Sequence, residues 1–303
     1  MNGLLTKKEA GNLGWGLVFV SPWLAGLILF AAYPLLASLY YSFTDFSVLL
    51  PPVNVGLLNY RFLFQDDLFW TSMKNTVLFA TMSVPLTLGL SLLAAMLLNN
   101  RLRMQGTFRA IYFLPSLVPL VPLAILWSWM FNSNCGLINA IIGPPLRSMG
   151  IEPPNWLEAA GWTKPALVFT KIWGIGGAMV IFLAALQEAP EHLYESADLD
   201  GAGAWRKFLS ITLPFISPAL YFNLIIGIIA SLQTFALPYV MMGRGPSDST
   251  YFLTMYIYDQ GFKYLNMGYA CAMAWIMFLI ILILTLIASR ISSRFVFYGE
   301  EKT

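Results

Sequence analysis

Residues 188–214 form the most hydrophilic and most densely charged segment of this sequence. The segment ends in the stretch YESADLDGAGAWRKFLSITLP. Five carboxylates against only two basic residues, Arg206 and Lys207, give this segment a net charge of −3. Carboxylates accept strong, charge-assisted hydrogen bonds from arginine and lysine. The segment therefore indicates recognition of a basic partner, although its charge and length alone also fit a solvated connector between helices.

Residue types that perform catalysis or bind metals are sparse. His192 is the single histidine, Cys135 and Cys271 are far apart in sequence, and the zinc motif H-E-x-x-H does not occur. A phosphate loop that binds ATP needs a Gly-Lys pair, and the sequence contains none. We predict that the chain is not an enzyme, holds no metal and carries no cofactor of its own.

The elements that position the acidic segment are apolar helices. The sequence is 58% hydrophobic and only 11% charged, far below the roughly 25% charged residues of soluble domains. Several stretches reach the roughly 20 apolar residues that a spanning helix requires, and no alternating ten-residue strands suggest a barrel. We predict an all-α integral membrane protein with six transmembrane helices, at about 13–41, 74–98, 109–131, 166–187, 215–237 and 268–290.

The domain organisation and orientation follow from these helices. Lys7 and Lys8 precede the first helix, and the connection with Arg101, Arg103 and Arg109 contains no acid. Basic residues in short loops favour the cytoplasmic side. We predict a cytoplasmic N-terminus over 1–12, a six-helix membrane domain over 13–290, and a cytoplasmic tail over 291–303. Segment 188–214 then faces the cytoplasm.

The acidic segment itself predicts two short helices. Pro190 suits a first helical turn, and Glu191 follows it, where the helix dipole favours an anion. Gly201 is expected to end this helix, and AWRKFLSIT is expected to start a second one that continues through Pro214 into the next span. We call residues 190–214, two helical arms joined at a glycine bend, the knuckle.

Segment 188–214, which contains the knuckle, resembles the EAA loop of permease subunits of binding-protein-dependent ABC importers. Its pattern is Glu-x-Ala, a glycine six residues after the glutamate, then nine residues and Ile-x-Leu-Pro; Ser196 replaces the usual alanine of the triplet. The segments LNYRFLF, NTVLF, RAIYFLPSLVP and MGRGP also resemble carbohydrate permeases similar to those of the maltose system. The resemblance covers nearly the whole chain.

This resemblance implies the type I ABC importer fold in a bacterial or archaeal cytoplasmic membrane. A second homologous permease would complete the path, two ATPase subunits would bind ATP and magnesium, and an extracytoplasmic solute-binding protein would deliver the ligand. Besides membrane lipid no other partner is expected, and nucleic acid is not one. Glu195 would pair with an ATPase arginine and Gly201 would form the bend. The residues implied in ATPase coupling are Glu195, Ser196, Ala197, Asp200, Gly201, Ala202, Ile211, Leu213 and Pro214.

Small and polar side chains within two predicted spans are candidates for a substrate path. Polar groups in spans usually face the bundle interior or a cavity, and the resemblance aligns these positions with sugar contacts. Trp173 could stack on a sugar ring, and Lys171 could attract an anionic ligand or extend to the membrane surface. We predict that four of the candidates share one helix face at spacings of three and four residues, and that three share another. Helix packing accounts equally well for both faces, which are Thr170, Trp173, Gly174 and Gly177, and Gly227, Ser231 and Thr234. The candidates are Thr170, Lys171, Trp173, Gly174 and Gly177 on the fourth span, and Gly227, Ser231 and Thr234 on the fifth.

The function predicted is that of a permease subunit importing a sugar or oligosaccharide with energy from separate ATPase subunits. A glycerol phosphate or an anionic saccharide is the alternative cargo within the same family. An ion-coupled secondary transporter is the alternative class, and it would need carboxylates within the spans, whereas every Asp and Glu here falls in a loop or at a helix end. An intramembrane enzyme would need a catalytic pair at depth, and none is visible.

Overall fold

The computed structural model describes residues 7–100 and 103–292. The chain divides into two compact units, one within Met1–Gln65 and Ile257–Ile276, the other within Asp66–Tyr256 and Met277–Thr303. Parts of the predicted terminal segments 1–12 and 291–303, together with Arg101, lie outside the described residues. The boundaries of the predicted 13–290 domain stay a prediction.

The first unit combines helices with a small hairpin. Asn59 donates its side-chain amide to the Ser42 and Thr44 carbonyls, at 2.9 Å each, which fixes the end of α2 against α3. Strands β1 and β2 are antiparallel, with Thr44 opposite Asn54. The elements are α1 (Lys7–Leu27), a π-helical turn (Ile28–Ala32), α2 (Tyr33–Ser42), β1 (Thr44–Ser47), β2 (Leu50–Asn54) and α3 (Leu58–Gln65).

The second unit contains most of the helices. In chain order they are α4 (Asp67–Asn99), α5 (Gln105–Phe113), a 3₁₀ turn (Leu114–Leu117), α6 (Leu120–Met130), α7 (Leu137–Ser148), α8 (Ala160–Trp173), α9 (Gly176–Glu188), α10 (Glu191–Leu199), α11 (Ala204–Lys207), a π-helical turn (Phe208–Thr212), α12 (Leu213–Leu232), α13 (Ala236–Met241) and a 3₁₀ turn (Pro246–Asp248). Three elements extend into or belong to the first unit: α14 (Leu253–Tyr258), a π-helical turn (Asp259–Lys263) and α15 (Met267–Ser292).

Four helices of the described chain are long and apolar enough to cross a membrane: Val18–Ser42, Asp67–Asn99, Ala204–Leu232 and Met267–Ser292. Two bent helix pairs raise the number to six if each pair is one span, by length and composition alone. All six predicted segments are therefore helical, but two of them are broken.

Proline and glycine explain the two breaks. The predicted helix 109–131 bends by 97° between Gln105–Leu117, which is α5 with the 3₁₀ turn after it, and α6. Pro115 and Pro119 at this bend lack the N–H groups that a continuous helix would use. The predicted helix 166–187 begins earlier, at Ala160, and bends by 48° between α8 and α9 at Gly174 and Ile175. The predicted helix 215–237 ends at Leu232.

Two of the π-helical turns lie directly before a proline near the start of the next helix. Ile28–Ala32 precedes Pro34, and Phe208–Thr212 precedes Pro214. A proline ring within a regular helix collides with the carbonyl four residues earlier. The wider π turn moves that carbonyl, so Ala204–Leu232 continues as one span.

The core of the second unit lies where α4, α9 and α12 pack together. Ala95, Met179, Phe182 and Ile216 are each 0% exposed there. Helices in lipid associate through close packing of small residues rather than through a hydrophobic driving force. Ala94 and Ala95 supply that small surface on α4.

Gly176, the first residue of α9, is the tightest backbone contact of this packing. A Cβ atom on Gly176 would collide with the Tyr112 carbonyl oxygen and lie 2.7 Å from the Phe113 Cα. Both are backbone atoms of α5, which cannot move aside as a flexible side chain can. The contact between α5 and α9 therefore requires glycine at this position.

Replacing Gly176 with alanine should destabilise the second unit by about 1–3 kcal/mol, the usual cost of overpacking. The matched control is Gly177→Ala, because a Cβ at Gly177 has no heavy atom within 4 Å. Thermal unfolding of the purified protein in detergent measures both. Equal stability of the two variants would contradict the close α5–α9 contact.

Candidate functional site

The knuckle has the two-armed form that its sequence predicts. Helix α10 begins after Pro190 and ends in a left-handed Gly201, with φ of +71°. The Gly201 N–H donates to the Asp198 carbonyl at 3.1 Å, and the Ala202 N–H to the Ala197 carbonyl at 2.9 Å. This pair of bonds is the Schellman arrangement, which satisfies the carbonyls at a helix end. The predicted stop at Gly201 is confirmed.

Two side-chain contacts fix the arms of the knuckle to each other. Lys207 Nζ lies 2.6 Å from Asp198 Oδ1, which joins α11 to α10. The Tyr194 hydroxyl lies 3.0 Å from Thr212 Oγ1, which joins α10 to the π-helical turn before α12. Because these contacts lie on both sides of Gly201, the bend is held from within the knuckle.

The surface of the knuckle combines acids with exposed apolar tips. Glu195 lines a depression of about 470 Å³ together with Glu191 and Asp198. Leu199 is 90% exposed and Trp205 is 71% exposed. Exposed apolar side chains beside charged ones are a common feature of protein interaction surfaces. The sequence analysis did not identify Trp205 or the depression as features of this site.

The remaining coupling candidates divide between surface and core. Ser196 and Asp200 are exposed, and the Ser196 hydroxyl donates to the His192 carbonyl at 2.9 Å. Ile211, Leu213 and Pro214 are half-buried in the second arm, where Leu213 packs against the core of α4, α9 and α12. Leu213 therefore attaches the second arm of the knuckle to the bundle.

Replacing Gly201 with alanine should loosen the bend, since a left-handed conformation costs an L-residue about 1–2 kcal/mol. Hydrogen exchange of the backbone amides at positions 201 and 202 should be about 5- to 30-fold faster in this variant than in the wild type. Gly203→Ala is the matched control, because Gly203 has φ of −66° and open space around its Cβ position. Equal acceleration in the control would show that the bend does not depend on the left-handed backbone.

A cavity of about 600 Å³ lies within the second unit, between α4, α6, the α8–α9 bend and the end of α12. Four of the predicted path residues line it: Thr170, Lys171, Gly174 and Thr234. The other lining residues are Thr87, Ser91, Leu120, Leu123, Ile175, Ala178, Ala230, Gln233, Phe235, Ala236 and Leu237.

Lys171 points into the helix bundle. Its Nζ donates to Ser231 Oγ at 3.1 Å and lies 5.3 Å from the centre of the Phe79 ring. Ser231 in turn lies 3.1 Å from Ser83 Oγ. Since Phe79 is 0% exposed and Ser231 is 3% exposed, the ammonium is held by buried groups of α4 and α12. Extension of this side chain to the membrane surface is not what the structure shows.

The other predicted path residues do not line the cavity. Gly227 packs against Val84, its Cβ position 3.6 Å from Val84 Cγ1, so it serves helix packing. Trp173 packs edge-on against Trp127, with ring centres 5.9 Å apart, and Gly177 faces open space. The predicted common face of Thr170, Trp173, Gly174 and Gly177 is wrong, because the 48° bend interrupts the helix between them.

The sequence analysis missed a line of hydroxyl groups on α4. Ser83, Thr87 and Ser91 follow one another at intervals of four residues, which places them on one helix face. Polar side chains inside a span usually face the bundle interior, so this spacing was the available signal. Gln233, just beyond α12, carried no comparable signal.

Three of the four hydroxyl groups on cavity-lining residues donate their protons to backbone carbonyls. Thr87 donates its proton to the Ser83 carbonyl at 2.7 Å, Ser91 donates to the Thr87 carbonyl at 2.5 Å, and Thr170 donates to the Ala166 carbonyl at 3.0 Å. A hydroxyl that has donated its proton keeps lone pairs for accepting. The cavity therefore offers acceptors for ligand hydroxyl groups and, at Lys171, a donor with positive charge.

Comparison with known proteins identifies a family and a fold. The sequence profile described as "Binding-protein-dependent transport system inner membrane component" matches residues 87–296. The chain is 36% identical to the sulfoquinovosyl glycerol transport system permease SmoG of Agrobacterium fabrum, over 93% of this chain and 92% of that protein. It is 33% identical to the lactose transport system permease LacF of Rhizobium radiobacter, over 90% and 91% of the two chains.

The fold is also found in a solved structure. A chain of a bacterial ABC transporter involved in the import of the acidic polysaccharide alginate superimposes with a TM-score of 0.83. The two chains are 23% identical, and the match covers 95% of this chain and 98% of that one. At this level of identity the likeness concerns the fold alone. It covers nearly the whole length of both chains, including the region of the two broken helices.

Proposed function

This chain belongs to the family of binding-protein-dependent transport system inner membrane components, and we propose that it is the permease subunit of an ATP-driven carbohydrate importer. The observation that carries the proposal is the presence, in one compact unit, of a cavity with apolar walls and a few polar groups between the spans and an acidic knuckle on the connection between two of them. A transport subunit needs both features, because it must bind its cargo and contact the ATPase subunit that supplies the energy.

The cargo class is supported by relatives and by cavity chemistry. Both relatives named above are permeases for saccharides or their glycosides. The cavity presents hydroxyl acceptors on apolar walls, the combination that suits a sugar, whose hydroxyl groups donate and whose ring faces are apolar. Its volume of about 600 Å³ lies within the range of small-molecule sites.

The knuckle is proposed to contact a separate ATPase subunit. Its depression, lined by Glu191, Glu195 and Asp198, fits the guanidinium or ammonium group of a partner, because carboxylates bind such groups through charge-assisted hydrogen bonds. Leu199 and Trp205 would bury their exposed side chains in the same contact. ATP and magnesium then belong to that partner, and this chain performs no catalysis.

The remaining parts of the assembly are proposed from the family. A second homologous permease would complete the path, and an extracytoplasmic solute-binding protein would deliver the sugar. The chain would lie in the cytoplasmic membrane of a bacterium or archaeon, with both termini and the knuckle on the cytoplasmic side. A uronate, sulfonate or glycerol phosphate cargo belongs to the same proposal.

Purification from the native membrane in mild detergent, followed by mass spectrometry, tests the assembly. We expect one ATPase species and a second permease to copurify, and uptake into reconstituted vesicles to require ATP and the binding protein. Recovery of the chain alone, with uptake that needs no ATP, would replace this proposal with an ion-coupled secondary transporter.

Reversing the charge of Glu195 should uncouple transport from ATP hydrolysis. Glu195→Lys places a cation in the depression beside the basic group that is expected to bind there, and repulsion replaces attraction. Ligand-stimulated ATP hydrolysis by the assembled complex should fall at least tenfold while the amount of folded permease stays unchanged.

The matched control is Glu152→Lys, an exposed charge reversal in the connection between α7 and α8. The control should retain ligand-stimulated hydrolysis. Normal stimulated hydrolysis in the assembled Glu195→Lys complex would remove Glu195 from the ATPase contact.

A further inference from the structure

Lys171 lies deep within its span. It follows the first residue of α8, Ala160, by eleven positions, which at 1.5 Å per residue is about 17 Å along the helix. The bent pair Ala160–Trp173 and Gly176–Glu188 forms one candidate span, and Lys171 lies eleven positions after its first residue and 17 before its last. The sequence alone predicted a shallower position, because it predicted that this helix begins at residue 166.

No carboxylate balances this charge within the part of the chain that the structure describes. None lies within 4 Å of Lys171 Nζ, which instead lies 3.1 Å from the Ser231 hydroxyl and 5.3 Å from the centre of the Phe79 ring. None of the cavity-lining residues is Asp or Glu. An ionised group at this depth is expensive unless it is paired, and unpaired charges in spans usually serve a substrate or ion.

Lys171 retains capacity to bind a further group. An ammonium carries three N–H donors, and one is used on Ser231. Lys171 is one of the residues that line the 600 Å³ cavity, so under this inference its two remaining donors serve a ligand in that cavity. Around it, the oxygens of Thr87, Ser91 and Thr170 are acceptors, for the reason given above.

The geometry points to a cavity that selects a saccharide with an acidic substituent, a carboxylate, sulfonate or phosphate that pairs with the Lys171 ammonium while sugar hydroxyls donate to the α4 hydroxyl oxygens. This inference rests on the proposed function and narrows its cargo. Ser231 and Ser83 act as positioning residues, because Ser231 accepts a hydrogen bond from the Lys171 ammonium and Ser83 in turn contacts Ser231. A neutral sugar would leave the charge unpaired.

Equilibrium dialysis of the purified permease complex, without its binding protein, tests the proposal with digalacturonate and its dimethyl ester. The two probes have the same rings and linkage, and they differ at the two carboxyl groups, which are ionised in the acid and methylated and uncharged in the ester. We expect the wild-type complex to bind the acid at least tenfold more tightly than the ester. Lys171→Met should remove this preference, and Lys171→Arg should retain it.

Lys164→Met is the matched control, since Lys164 lies on the same helix but does not line the cavity. It should keep the preference for the acid. Absence of binding, equal binding of both probes by the wild type, or an unchanged preference in Lys171→Met would each overturn the inference. The copurification and ATP dependence described above remain independent of this result, so its failure leaves the importer proposal standing.

Discussion

The break between α8 and α9 is the constraint on which the interior of the second unit depends. A helix in lipid can be interrupted only where its backbone groups find other partners. Here Gly174 and Ile175 donate to the Lys171 and Ile172 carbonyls, at 3.1 and 3.3 Å, in tightened turns three residues apart. The Ile175 carbonyl accepts from the Met179 N–H at 3.0 Å. These backbone groups at the break therefore have hydrogen-bond partners although the helix is not continuous. The cavity lies beside the break.

The bend also connects the helices on its two sides. Its first α9 residue, Gly176, lets the backbone of α5 approach, and the Ser91 hydroxyl of α4 lies 3.4 Å from the Ile175 carbonyl. On the other side, the last turn of α8 carries Lys171, at a helix end whose dipole favours a cation. The interruption of the helix thus gives Lys171 a favourable position at a helix C-terminus, and it also leaves room for the cavity beside the bend.

Hydropathy was sufficient to locate all six apolar segments, because the length of a span is set by the bilayer. It could not locate the breaks, since proline and glycine are tolerated within membrane helices and only the neighbouring helices decide where they bend. Gly174 and Gly177 were selected by spacing, whereas Gly176 makes the close contact. Only the position of α5 distinguishes these three glycines.

The knuckle was more predictable than the cavity for a related reason. A glycine stop, a proline start and a cluster of charges act through local backbone conformation, so adjacent residues determine them. The cavity instead depends on contacts between residues distant in sequence, such as Lys171 with Ser231. Four of the eight predicted path residues line it, namely Thr170, Lys171 and Gly174 around the end of α8 and Thr234 beyond the end of α12, and the other four do not.

One helix joins the two sites. Ala204–Leu232 is 29 residues long, about 43 Å at 1.5 Å per residue, with the second arm of the knuckle at one end and Ser231 at the other. The Tyr194–Thr212 contact and the Lys207–Asp198 pair bind the first arm to it. Under the proposed function, a partner that rotates the knuckle must therefore also move Ser231. Ser231 holds the Lys171 ammonium. That rotation would therefore change the position of the ammonium, and with it the affinity for the ligand, during the transition of the path from outward-facing to inward-facing.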